Sequence, residues 1–229
     1  AQKNKLSTLN NQASELDKKI NKVETANIEN LGTLSIGNSL ISLSDYLGTE
    51  NDRTVIAYRK STGKITDNTF QTTESIVDTI TLQNDLVAIY NGDALFIWDI
   101  NSDIITGKFT DGIPNREDFG GIKTYSTNNK VYFIDKSSGQ VKSLSTSGRG
   151  FMNLGTAVTD DAIKTSSDLA IDGNIYIASG GTILKFNSGE KQDFSPAISG
   201  LSNSTKLYTQ TDFERLYVLD SGNKKLSIL

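Results

Sequence analysis

Several residue types that commonly carry chemistry are missing from this chain of 229 residues, which contains no cysteine and no histidine. Without cysteine it has neither a disulfide framework nor a thiolate nucleophile. Without histidine it lacks the side chain that most often acts as a general base near neutral pH and most often binds metal ions. A serine–histidine–aspartate triad and histidine-ligated zinc are therefore excluded for the chain's own residues.

Positive charge and long apolar runs are also scarce. The chain has 23 lysines and arginines against 27 acidic residues, a net charge of −4, and no basic stripe. We therefore expect no nucleic-acid partner. No apolar run reaches the roughly eighteen residues that a membrane-spanning helix requires, so we expect no membrane insertion within this chain. Proline is rare too, and both prolines, Pro114 and Pro196, fall between the repeated units described next.

The most informative feature that is present is a strand–turn–strand pattern that recurs about every forty residues. The turns contain Ser-Gly, Asn-Gly or Gly-Gly pairs, and glycine supplies the positive φ that tight hairpins need. Such a repeat is typical of the blades of a β-propeller. The fold class predicted is therefore all-β, a β-propeller of about five blades, with a two-layer sandwich or barrel as the alternative. The five hairpins occupy residues 54–67, 86–101, 130–144, 174–189 and 215–229.

The polarity of the predicted strands favours the propeller. Middle strands such as LVAIY (86–90) and LFIW (95–98) are continuously apolar, which indicates that both of their faces are covered. Outer strands such as KITDNTF (64–70) and EKQDFS (190–195) are polar, as an exposed sheet edge should be. A sandwich would instead alternate apolar and polar positions throughout. The last predicted blade lacks an outer strand.

The N-terminal segment has a different pattern. Its apolar residues are spaced alternately by three and four positions, which predicts an amphipathic or coiled-coil α-helix within residues 1–28 and leaves 29–229 as the propeller domain. This helix either packs against the flank of the β domain or forms the end of a helical stalk, through which the protein could self-associate. The apolar positions are Leu6, Leu9, Ala13, Leu16, Ile20 and Val23.

The hairpins YVLDSGNKKLSIL (217–229), VYFIDKSSGQV (131–141) and IAYRKSTGKI (56–65) resemble the bacterial propeller repeats of the NHL, YVTN and PQQ-like groups. The resemblance covers most of residues 31–229. The tryptophan-docking motif of PQQ-like repeats is absent, since Trp98 is the only tryptophan.

A heptad segment that leads into such a propeller is also similar to the outer part of certain bacterial membrane proteins. In these, an extracytoplasmic propeller is coupled to a metal-dependent serine/threonine phosphatase. This resemblance implies a sensor domain that is extracytoplasmic or on the cell surface and is anchored to the membrane in the full-length protein.

Acidic residues recur just before the predicted inner strands, where propellers usually bind ligands. Converging carboxylates could hold a cation or a basic peptide, although such residues also serve as ordinary turn residues. We predict no catalytic residue, no metal site and no cofactor. The candidate binding residues are Asp78, Arg116, Glu117, Asp118, Asp160 and Asp161.

Together these features favour a non-enzymatic binding module on a helical stalk, with a protein, peptide or carbohydrate as its partner. One alternative is a carboxylate-dependent glycoside hydrolase of the five-bladed propeller type, for which Asp78, Asp118 and Asp161 are the candidates. The other is a structural or adhesive surface protein.

Overall fold

A computed structural model describes residues 40–42, 46–51, 54–59, 64–69, 75–196, 198, 200–211 and 215–229. All of them belong to one compact unit, Ser35–Leu229. The helix predicted within residues 1–28 lies outside the described residues and stays a prediction. Within the described ranges the structure is made of β-strands and two short 3₁₀ helices, Ser126–Asn128 and Asp161–Thr165. In this part of the chain no helix has the length and apolar character needed to cross a membrane.

The strands form five antiparallel sheets, each built from consecutive strands in chain order. Blade 1 contains β1 (Leu40–Ser42), β2 (Tyr46–Asn51), β3 (Thr54–Arg59) and β4 (Lys64–Thr69). Blade 2 contains β5 (Asp78–Thr81), β6 (Leu86–Tyr90), β7 (Leu95–Asp99) and β8 (Ile104–Phe109). Blade 3 contains β9 (Phe119–Tyr125), β10 (Lys130–Asp135), β11 (Gln140–Ser147) and β12 (Gly150–Thr159). Blade 4 contains β13 (Ser166–Ile171), β14 (Ile175–Ser179), β15 (Thr182–Asn187) and β16 (Glu190–Gln192). The fifth sheet contains β17 (Thr205–Tyr208), β18 (Tyr217–Asp220) and β19 (Lys225–Ile228).

The first strands of successive sheets are neighbours. β1 contacts β5, β5 contacts β9, β9 contacts β13, and β13 contacts β17. The sheets are therefore arranged as wedges whose inner strands follow one another around an axis, which is the architecture of a β-propeller. The predicted propeller fold is confirmed. The prediction was about five blades, whereas the described residues form four complete blades and a fifth sheet of three strands.

Apolar layers between neighbouring sheets form the core. One layer joins Val55 of blade 1 to Val87, Phe96 and Trp98 of blade 2. The opposite face of blade 2 packs on blade 3, blade 3 packs on blade 4, and blade 4 packs on the fifth sheet. All residues of β6 and β7 are buried because both faces of these strands are covered. This explains their continuous apolar sequence.

Blade 1 differs from the sequence-based prediction. Two strands, β1 and β2, precede the hairpin predicted at 54–67, and β1 is the first strand of the described sheet. The second strand is β2, which was not predicted, because its sequence YLGTEN contains glycine, glutamate and asparagine, residues that strands disfavour. Pairing with β1 on one side and β3 on the other holds this weak segment in the sheet.

The fifth sheet has one covered and one exposed face. Leu207 and Val218 pack on blade 4, whereas the alternate residues of the same strands point away from it. Four large apolar side chains are exposed as a result, namely Tyr208, Leu219, Leu226 and Ile228.

Two leucines test whether the layers between blades stabilise the fold. Leu144 has none of its surface exposed in the layer between blades 2 and 3, and Leu219 is 49% exposed on the fifth sheet. We expect Leu144→Ala to lower the free energy of unfolding by about 2–5 kcal/mol, because it leaves a cavity. The same change at Leu219 should cost less than about 0.5 kcal/mol. Urea denaturation measures both variants, and equal losses would contradict the packing described here.

Candidate functional site

A cavity of about 740 Å³ opens where the inner strands begin. Its walls come from blades 2, 3 and 4 and from the fifth sheet, so no single repeat forms it. This is the end of the propeller at which the turns after the second strands also lie. The lining residues are Val77, Asp78, Phe119, Gly120, Gly121, Lys136, Lys164, Thr165, Ser166, Ser167, Gly180, Asn203 and Lys206.

Lysine predominates among the charged residues of the cavity. Lys136, Lys164 and Lys206 line it, and Asp78 is the one carboxyl group among the lining residues. The Lys164 ammonium lies 2.6 Å from Asp161 at an exposed position. Within the described part of the chain, Lys136 and Lys206 form no ion pair.

Charged residues of alternating sign follow one another on the inner strands. β5 contributes Asp78, β9 contributes Lys123, β13 contributes Asp168 and β17 contributes Lys206. The Asp168 side chain is 1% exposed, its Oδ1 lies 3.4 Å from the Lys123 ammonium, and its Oδ2 accepts a hydrogen bond from the Leu207 amide at 2.8 Å. A buried carboxylate is tolerated only with such partners.

Asp78 is the carboxyl group most strongly affected by its surroundings at the cavity. Burial raises the pKa of Asp78, and the nearby charges of Lys123 and Lys206 oppose that rise without cancelling it. The charge of Asp168 acts in the same direction as burial. A carboxyl group with a raised pKa can exchange a proton closer to neutral pH than an exposed aspartate can.

Hydroxyl groups line the cavity beside the lysines. Ser167 donates to the Thr205 carbonyl oxygen at 3.1 Å, and the Thr165 and Ser179 hydroxyls lie 2.9 Å apart. In contrast, the Ser166 hydroxyl is buried and has no hydrogen-bond partner in the described structure. Such groups are rare because each costs free energy.

Two glycines allow β9 to pack closely against neighbouring strands at the cavity wall. A Cβ atom on Gly120 would lie 2.6 Å from Ile134 Cγ2 of β10. Gly121 has a φ of +136°, and a Cβ atom there would lie 2.8 Å from Asp168 Oδ1 of β13. Both glycines are therefore required by space, and Gly121 is required by its backbone conformation as well.

Asparagine and aspartate side chains hold the turns at the ends of the second strands. Asn91 Oδ1 accepts from the Ala94 amide at 3.0 Å, and Asp220 Oδ1 accepts from the Asn223 amide at 3.2 Å. In blade 3, Asp135 Oδ1 accepts from the Ser137 hydroxyl at 2.7 Å. These bonds explain why the repeated hairpins contain Asp or Asn just after an apolar strand.

The acidic residues predicted as binding residues do not all reach the cavity. Asp78 lines it. Asp160 caps a 3₁₀ helix by accepting from the Ala162 amide at 2.8 Å, and it pairs with Lys191 at 3.0 Å. The Ala162 hydrogen bond and the Lys191 charge together lower the pKa of Asp160. Asp161 pairs with Lys164, as described above.

The predicted residues that precede β9 take part in a turn. Asn115 Oδ1 accepts from the amides of Glu117 and Asp118 at 3.0 Å, and its Nδ2 donates to Asp118 Oδ2 at 2.9 Å. Arg116 donates to the carbonyl oxygens of Ser75 and Asn91 at 2.7 and 3.2 Å. A ligand-binding role for the six predicted residues stays a prediction.

The residues predicted from the sequence do not include the three lysines or Ser166. The predicted residues lie before or at the start of inner strands, whereas Lys136 follows a second strand. Aligning the repeats at the ends of β10 and β14 would have drawn attention to Lys136 and Gly180, both of which line the cavity.

No protein-family model and no curated protein sequence matches this chain. Among solved structures, a streptogramin B lyase has a TM-score of 0.63 at 13% identity, with 82% of this chain and 66% of the lyase covered. A chain of a nidogen/laminin complex has a TM-score of 0.60 at 12% identity, with 80% of this chain and 70% of the other chain covered. PorZ is a surface component of the type-IX secretion system of Porphyromonas gingivalis. It has a TM-score of 0.55 at 15% identity, with 84% of this chain and 24% of PorZ covered. The protein is a β-propeller. It spans about two thirds of the lyase and a quarter of PorZ.

These likenesses correct one prediction. The sequence analysis concluded that the chain is not an enzyme because conventional catalytic residues are missing. That conclusion is wrong, because an enzyme, the streptogramin B lyase, is among the proteins that share this propeller fold. At such low identity the likeness shows the fold alone, and it transfers no activity.

Acid should weaken the turn held by Asp135. Burial alone would raise the pKa of this residue, but hydrogen bonds from Ser137, Lys142 and Ser138 outweigh burial, and the pKa is lowered to about 2. The ionised Asp135 carboxylate therefore stabilises the folded state fully when the pH is above the ordinary aspartate pKa. This stabilisation is lost as the pH falls through the pKa that Asp135 has in the folded protein. We expect Asp135→Asn to lower the free energy of unfolding by roughly 2 kcal/mol at neutral pH and by much less in strong acid.

Urea denaturation over a pH series measures this difference. Asp111→Asn, a change of the same charge at an exposed turn residue, is the control and should have little effect at any pH. A constant loss in Asp135→Asn across the whole series would contradict the role of the ionised carboxylate.

Proposed function

We propose that this protein is a binding propeller that takes up a ligand, or a segment of a partner protein, in the cavity at its axis. The cavity itself, with a volume of about 740 Å³ and walls from four sheets, is the observation that supports this function most directly. Its volume lies within the range of roughly 300–1,000 Å³ that is usual for ligand sites. The unpartnered Ser166 hydroxyl and the lysines give it polar groups for orienting a bound molecule.

The comparisons are consistent with a role in binding. One similar structure is a nidogen/laminin complex, and another is a bacterial surface component. An extracytoplasmic or cell-surface location and presentation on a helical stalk remain part of the proposal. Coupling to a serine/threonine phosphatase has no support from the comparisons, and we leave it out.

The second candidate function is an enzymatic reaction in the same cavity. The raised pKa of Asp78, beside the ammonium groups of the lining lysines, favours it, since a carboxyl group in this state is suited to proton transfer. The chemistry would have to use carboxylates, lysines or hydroxyls, because the chain has no histidine or cysteine. Assay of streptogramin B cleavage tests one reaction: product formed by the wild type should be lost in Asp78→Asn and retained in Asp111→Asn.

Blocking the cavity tests the binding function. Asn203 is an exposed turn residue at the cavity wall, so Asn203→Trp should fill the opening and leave the fold intact. Asn187→Trp, at an exposed strand end on the opposite side of blade 4, is the control. Isothermal titration with citrate, hexaglutamate, hexalysine and a neutral oligosaccharide should find at least one saturable ligand. We expect Asn203→Trp to weaken its binding by at least about tenfold, the equivalent of 1.4 kcal/mol.

Two outcomes would contradict this function. One is that none of the four probes binds saturably to the wild type. The other is that Asn203→Trp and Asn187→Trp bind the same probe with equal affinity. Thermal unfolding of both variants shows whether either change has damaged the fold.

A further inference from the structure

The charge at the cavity differs in sign from the charge of the whole protein. The chain carries a net charge of −4, yet three of the four charged residues that line the cavity are lysines. They come from separate elements: Lys136 from the turn after β10, Lys164 from a 3₁₀ helix, and Lys206 from β17. Three separate segments of the chain therefore each supply one lysine to the lining of a single cavity.

The remaining charges near the cavity reduce this excess to two lysines that form no ion pair within the described structure and one carboxyl group. Asp161 pairs with Lys164, and Lys123 and Asp168 pair with each other. Asp78 is the one acidic lining residue, and burial raises its pKa, which reduces its negative charge at a given pH. Lys136 and Lys206 form no ion pair among the described residues.

A second, independent observation concerns a polar group at the cavity wall. Ser166 lines the cavity, the residue is only 7% exposed, and its hydroxyl lies beside Gly120 with no hydrogen-bond partner in the described structure. The neighbouring hydroxyls of Ser167 and Thr165 are already engaged. A bound anion that reached the Ser166 hydroxyl would accept from it without displacing an existing hydrogen bond.

Other ligand classes fit this lining less well. A carbohydrate is usually held against an open aromatic face, but Phe119 is the one aromatic residue of the lining, and its ring stacks on Tyr90 with centroids 4.1 Å apart. A cationic ligand would meet Lys136 and Lys206, which form no ion pair among the described residues, and a single carboxyl group, so it would be disfavoured.

The geometry points to a ligand with two or more closely spaced carboxylate or phosphate charges, held by Lys136, Lys164 and Lys206 and by a hydrogen bond from Ser166. This inference rests on the binding function proposed above and adds the chemical class of the ligand. The charges could belong to a free small anion or to the acidic side chains of a peptide. The shared chemistry is a cluster of anionic oxygens that accept charge-assisted hydrogen bonds.

Isothermal titration with citrate, inorganic phosphate and hexaglutamate tests the inference, and hexalysine and a neutral oligosaccharide serve as negative probes. We expect the anions to bind, and their affinity to fall as salt is added. Tight binding of citrate or phosphate with weak binding of hexaglutamate identifies a small anion, and the reverse identifies an acidic peptide. Either pattern supports the inference.

Three variants locate the site. Lys136→Gln should weaken binding of the preferred anion by at least about tenfold, since a hydrogen bond to a charged group is lost. Lys108→Gln, which makes the same change of charge at an exposed residue of β8, should leave the affinity within about twofold. Ser166→Ala should also weaken binding, and because it removes a buried hydroxyl without a partner, it should not lower the melting temperature. A structural role alone would not separate affinity from stability in this way.

The outcomes distinguish failure of this inference from failure of the binding function. Suppose hexalysine or the neutral sugar binds, Asn203→Trp blocks it, and Lys136→Gln does not change it. The binding function then stands and the anionic ligand is ruled out. The inference also falls if anions bind with equal affinity to wild type, Lys136→Gln and Ser166→Ala, because binding is then nonspecific. If no probe binds saturably, both proposals fail.

Discussion

The whole structure depends on apolar contact between neighbouring sheets. Middle strands such as β6 and β7 are apolar on both faces, and neither face can leave water unless another sheet covers it. Blades 2, 3 and 4 each have two such covers, and buried apolar residues form a layer on either side of each of them. A single blade is one sheet and cannot bury its own apolar faces. The blades therefore stabilise one another, and we expect no blade to fold alone.

This packing also determines where polar groups lie. Sheets that meet as wedges bring their first strands together, and Gly121 allows β9 to come within contact distance of β13. The charged residues on these strands then approach one another and must be compensated, as Asp168 is by Lys123 and the Leu207 amide. Buried ion pairs of this kind do not by themselves make a protein more stable. They do restrict which side chains can be present on the inner strands near the axis. The cavity above them has walls from four sheets, and its properties belong to the assembly of blades.

The sequence predicted blades 2 to 4 and the fifth sheet well, because long apolar strands alternate there with glycine-containing turns. It failed at β2, where the segment Tyr46–Asn51 has little intrinsic preference for a strand and is held by pairing on both sides. Of the six predicted binding residues, Asp78 lies in the cavity wall. Asp118 and Asp160 instead hold local turns and caps. The position of an acidic residue before a strand does not reveal its role. Its side chain can point to the axis or accept hydrogen bonds from the neighbouring backbone.

The sequence by itself determined the all-β class, the repeat and most strand boundaries, because hydrophobic runs and turn residues act over a few neighbouring positions. Only the tertiary structure decided that Lys136, Lys164, Lys206 and Ser166 share one cavity. These residues are far apart along the chain, and they meet because successive sheets pack face to face around an axis. Neither the positive lining within an acidic protein nor the unpartnered hydroxyl follows from composition. Both arise where separate repeats are brought together.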